Sequence, residues 1–145
     1  MYGTVTNVAV LASVWTKNGQ FTNADAYTVA TTPSLTQVEA WLEQMSQTMD
    51  FAISSEGFAT PITHPTAVGA IAGVVEGVVA DLCHAAHKSG RFYTKKALES
   101  GSSPLLTIRK ELTDWVTAHA VSFQALGIPT VTNAVGNTMA TFDVL

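Results

Sequence analysis

The stretch "ADLCHAAHKSGRF", residues 80–92, gathers the side chains best suited to chemistry: Asp81, Cys83, His84 and His87. Carboxylate, thiolate and imidazole together suit a zinc-type metal site. A cysteine beside a histidine suits a thiol nucleophile with its base. The same residues also suit the polar end of a buried helix, with no reaction to run. Helical spacing separates these readings. Asp81, His84 and His87 lie at i, i+3 and i+6 and spread over an arc of about 120°, because each step advances about 300°. Cys83 and His87, four apart, share a face. Two ligands on one helix need at least one or two more from elsewhere. His64 and His119 are the other histidines, and no C-x-x-C or H-E-x-x-H occurs. Cys83 sits among Val79, Leu82 and Ala86, a setting for a buried inert thiol. The sequence therefore predicts no metal, no cofactor and no catalytic residue. A small metal or thiol enzyme using Cys83, His84 and His87 stands as the rival from another class.

The element carrying this stretch is a helix predicted from about Thr66 to Ser89. It is nearly apolar all round: Val68, Ile71, Val74, Val75, Val78, Val79 and Leu82. Gly69, Gly73 and Gly77 recur every four residues, as in membrane helices that pack closely. Glu76 and Asp81 interrupt the run and argue against a membrane span. A central helix with a glycine groove is the expectation. Each interior glycine costs about 1 kcal/mol of helix propensity, so a close neighbouring backbone, in this chain or the next, should offset it.

Two further long helices flank it. In "PSLTQVEAWLEQMSQTMDFAISSEG", Ser34 and Gln37 form a capping-box pattern. Leu35, Val38, Leu42, Met45, Met49 and Ala52 repeat at helical spacing, and Gly57 sits where the helix should end. Glu39, Glu43 and Asp50 share the opposite face. They make either a solvated surface or an acidic stripe facing a subunit or a channel. The last helix opens at "SSPLL", with Ser103 as cap and Pro104 first. Leu105, Ile108, Leu112, Trp115, Val116, His119, Phe123 and Leu126 line one face, and Gly127 and Pro129 close it.

The rest is weakly patterned. "TNVAVLASVW" places Val8, Leu11 and Trp15 at helical spacing, with Thr6 or Asn7 as cap, and "KNGQ" reads as a turn. "RFYTKKALESG" reads as a short helical link. The expected class is all-α: a small bundle of three main helices plus short helical segments, with extended N- and C-terminal arms. The predicted organisation is an arm at 1–32, a helical core at 33–127 and an extended tail at 128–145.

Composition narrows the function. The 145 residues suit one domain. Charged residues make up only 12%, about half the usual share. A surface so low in charge suits an oligomer or docked subunit. The net charge of −4 works against non-specific nucleic-acid binding as the main task. Residues 1–81 carry seven acids and one base, whereas 82–145 carry six bases and four acids. Opposite halves favour head-to-tail docking of copies, though ordinary scatter would give the same count. Lys88, Arg91, Lys95 and Lys96 suit a protein contact better than nucleic acid, and Lys88 also complements the helix dipole. The single cysteine excludes an intrachain disulfide and fits a reducing compartment. The first residues lack the pattern of a signal peptide.

The order of motifs carries a resemblance. "PSLTQVEAWLEQ" is followed by "VADLCHAAHKSGRF", then "ALESGSSPL", then "LTDWVTAHAVSFQALGIP". Over residues 33–129 this resembles the small head–tail connector, or adaptor, proteins of tailed bacteriophages. The termini match less well, so the family implies little about the tail. The resemblance implies a ring of copies, commonly dodecameric, beneath the portal protein. Such a ring extends the DNA channel, lets DNA pass without specific binding, and docks a stopper or tail protein. It implies a virion protein made in the host cytoplasm, with no membrane partner and no reaction. On this reading Lys88, Arg91, Lys95, Lys96, Gly69, Gly73 and Gly77 are candidates for the subunit or portal interface. Glu39, Glu43 and Asp50 are candidates for the channel or an interface.

Overall fold

The computed structural model describes residues 1–87 and 104–131. Four α-helices form it, with no strand among the described residues: α1 (Val5–Leu11), α2 (Leu35–Ser55), α3 (Pro65–His87) and α4 (Pro104–Ala125). A 3-10 turn at Ser13–Trp15 follows α1. The chain is all-α.

Local rules account for the helix ends. Ser34 caps α2, its Oγ accepting the Gln37 N–H at 3.3 Å. Gly57 and Gly127 take the left-handed conformation just after α2 and α4. Lys17 and Gln20 pair across Asn18–Gly19, the expected turn. The cap of α1 is Thr4, accepting the Asn7 N–H at 3.2 Å, rather than Thr6 or Asn7. The helix therefore starts earlier than the apolar spacing suggests. Its inward residues are Val8, Ala9 and Ala12, while Leu11 is exposed.

The core is one cluster built mainly from α2, α3 and α4. Leu42, Met45, Met49 and Ile53 meet Ile71, Val75, Val79 and Cys83 from α3, and Leu112 and Val116 from α4. Removing such apolar side chains from water contributes roughly 1.5–3 kcal/mol each. Residues Pro65–Ala86 are long and apolar enough to cross a membrane by length and composition, and half of that window is buried in the protein. Here α3 serves as the central helix of the bundle, touching α1, α2 and α4.

The expected boundary at residue 33 does not separate core from arm. Tyr2, Val8, Ala9, Ala12 and Phe21 are buried in the same cluster as α2 and α3. Beyond α4, Ala59 N–H donates to Pro129 O and Val131 N–H to Gly57 O. The short helical link, Ser103, and residues 132–145 of the expected tail lie outside the described residues.

Candidate functional site

The end of α3 is more occupied than its sequence suggests. Cys83 is fully buried, and burial pushes its thiol up to about 12. A thiol held so far above neutrality supplies almost no thiolate at physiological pH. His84 is half-buried, and its Nδ1 accepts the indole N–H of Trp15 at 2.6 Å. Indole only donates, so Nδ1 is unprotonated and neutral His84 carries its proton on Nε2. The two rings meet edge-on, with centroids 5.9 Å apart. His84 thus ties the 3-10 turn to α3. Asp81 is exposed but engaged. His87 is the last residue of α3, and its side chain lies outside the described residues. Among the described residues no three His, Cys, Asp or Glu side chains form a metal cluster. His64 accepts the Thr66 N–H at 3.3 Å, and His119 stacks on Trp115 in α4.

The polar centre of the molecule is Glu76, which in the sequence stands out only as an interruption of an apolar run. It is 7% exposed. Its Oε1 accepts two hydrogen bonds at 3.0 Å, from the Thr4 backbone N–H and from Asn7 Nδ2. A buried carboxylate needs such partners. Gly3 makes the approach possible, because a Cβ there would stand 2.7 Å from Glu76 Cγ, and its φ is +85°. Glu76 therefore pins the first turn of α1 to the centre of the bundle.

Tyr2 completes this anchorage. Its backbone N–H donates to Ser46 Oγ at 2.8 Å, its hydroxyl donates to Asp50 Oδ1 at 2.5 Å, and it accepts the Ile62 N–H at 2.9 Å. Burial, then the bond to Asp50, raises the phenol to about 12. The three acidic residues of α2 therefore differ: Glu39 and Glu43 face solvent, whereas Asp50 is half-buried and holds Tyr2. The signals for this anchorage are a lone carboxylate in an apolar run and an early glycine. The sequence does not show that they meet.

The glycines of α3 meet no close neighbour. A Cβ at Gly69, Gly73 or Gly77 would have nothing within 4 Å, and Gly69 and Gly73 are exposed. Of the two expected sources of a close neighbouring backbone, this chain or the next, the described residues of this chain supply none. Lys88, Arg91, Lys95 and Lys96 lie outside the described residues. Arg109 of α4 lines a groove with Gln44, Gln47, Thr48 and Phe51 of α2.

Comparison of this chain with known protein families, curated proteins and solved structures finds no match.

Proposed function

We propose that this chain is a structural subunit of the neck of a tailed bacteriophage. Copies form a ring that joins the portal protein to the tail and continues the DNA channel. The reading rests on the resemblance over residues 33–129, and the open glycine face of α3 carries it physically. Three interior glycines forgo roughly 1 kcal/mol each of helix propensity, yet no atom of the described residues fills the space above them. A neighbouring subunit seated on Gly69, Gly73 and Gly77 would offset that cost. Head-to-tail contact of this kind closes into a ring when its rotation permits. The ring is a virion component assembled in the host cell, and its partners are the portal and a stopper or tail protein. DNA passes through its lumen without specific contacts, and exposed Glu39 and Glu43 suit such a lumen by repelling phosphate weakly.

The enzyme reading is weaker on physical grounds. Burial holds the Cys83 thiol up at about 12, and Trp15 occupies Nδ1 of His84. Stoichiometric zinc that disappears in a Cys83→Ala/His87→Ala variant would revive it. The test of the ring is negative-stain microscopy of the protein with its portal. Rings of one portal symmetry are expected; a monomer indifferent to portal would contradict the proposal. Retention of a stopper or tail-completion protein instead of portal would move the chain to another position in the neck.

A further inference from the structure

The groove between α2 and α4 has features that the bundle itself does not use. Phe51 stands on the solvent ridge of α2, 77% exposed. The same groove is lined by Gln44, Gln47, Thr48, Arg109 and Thr113. Arg109 has no ion pair among the described residues, whereas its neighbour Lys110 is engaged with Asp114 at 2.9 Å. An exposed aromatic ring beside such an arginine suits an apolar side chain next to a carboxylate. The chain comes near this surface again after α4. Residues 129–131 run antiparallel to 57–59, with Phe58 bridged to Thr130 and Val131 N–H donating to Gly57 O. Val131 thus stands beside Gly57, just past the C-terminal end of α2 at Ser55. From there Phe51 and Gln47 lie roughly 10–15 Å back along the helix.

The sequence that follows, residues 132–145, ends in "TFDVL". We propose that Phe142 and Asp143 of the same chain occupy this groove, the Phe142 ring against Phe51 and the Asp143 carboxylate on Arg109. The chain from Val131 to Phe142 reaches at most about 36 Å. The r.m.s. span of a coil that long is about 18 Å. Reach and span match the distance, so the local concentration of the segment is in the millimolar range. That favours the same chain over a second copy, and the proposal does not depend on the ring.

Disulfide capture in the full chain tests it. Gln47→Cys is combined with Asp143→Cys, and oxidation in a glutathione buffer is followed on non-reducing gels and by mass spectrometry. A Glu39→Cys/Asp143→Cys chain is the control, and Cys83 stays protonated and buried in both. The expected product is an intramolecular disulfide between the thiols introduced at positions 47 and 143, formed well ahead of the control pair. A second pair, Thr48→Cys with Thr141→Cys, leaves Asp143 intact. In it, Phe51→Ser should slow capture about tenfold, as expected for a lost apolar contact, and Arg109→Glu about threefold, as expected for a lost exposed ion pair. Asp143→Arg should restore the rate in the Arg109→Glu chain. Capture no faster than the control, indifference to both groove substitutions, or mainly intermolecular disulfides would overturn the assignment.

Discussion

Glu76 and the cluster from Asp81 to His87 share one helix but differ in what surrounds them. The cluster has residue types associated with catalysis and metals, yet Cys83 is sealed in the core and His84 accepts a hydrogen bond from Trp15. Glu76 stands alone in an apolar run, yet it holds two donors from the first residues of the chain. A dense set of reactive types means little when its members are consumed by packing. A single charge in an apolar helix means more, because burial without partners would be too unfavourable to persist.

Alkaline pH should disturb both regions most. Burial favours the neutral forms of Cys83 and Tyr2, raising them from 9.0 and 10.0 to about 12. Their contribution is therefore fully present below the unfolded values, and it is lost as pH rises from about 9 to about 12. The combined loss is on the order of several kcal/mol, read as a falling urea midpoint across that window. Tyr2→Phe should remove the portion from the N-terminal region, and Cys83→Ala the portion from the end of α3. A flat midpoint between pH 9 and 12 would refute both burials.

Glu76→Ala comes next. It leaves the part-buried Thr4 N–H and Asn7 side-chain amide without their acceptor, and should lower stability by about 2 kcal/mol. Glu76→Gln keeps an acceptor oxygen and should lose about 1 kcal/mol. Amide exchange at Thr4 should speed up in the alanine variant, before global unfolding. Gly3→Ala should lose about 2 kcal/mol, since it forces a side chain into a left-handed position against Glu76. By contrast, Gly69→Ala should gain up to about 1 kcal/mol in the isolated subunit, because no described residue comes within 4 Å of a Cβ there and alanine is the better helix former. Equal effects at the two glycines would erase the distinction between a filled and an open site.

The smallest effect belongs to the end of α3. Trp15→Phe keeps an aromatic ring but removes the donor to His84, and should lose about 1 kcal/mol. The His84 ring should then show faster tautomer exchange by nitrogen NMR. An unchanged His84 spectrum would mean that the indole does not hold that ring.

The sequence exposes what is local. Repeats at three and four give α2, α3 and the register of α4, while Ser34, Gly57 and Gly127 mark ends through short-range hydrogen bonding and backbone freedom. It does not expose what is distant. Tyr2 meets Ser46, Asp50 and Ile62 across more than forty residues, and no periodicity encodes that meeting. The first thirty-two residues therefore read as an arm, though several belong to the core. The angular spread of Asp81, His84 and His87 is legible, because helical geometry alone sets it. The partner of His84 is not, because apolar spacing puts Trp15 on a regular helix with Val8 and Leu11, whereas it lies in a 3-10 turn.

The central claim is that the open glycine face of α3 exists for a neighbouring subunit. Native mass spectrometry of the wild-type chain and of Gly73→Leu, each mixed with portal protein, tests it most directly. No described residue comes within 4 Å of a Cβ at Gly73, and leucine is a better helix former than glycine, so the isolated leucine variant should keep its fold with an equal or higher thermal midpoint. The account predicts a portal-bound ring for the wild type and loss of that ring for Gly73→Leu. A ring that forms equally well with leucine, or a wild-type chain that stays monomeric beside portal, would contradict it.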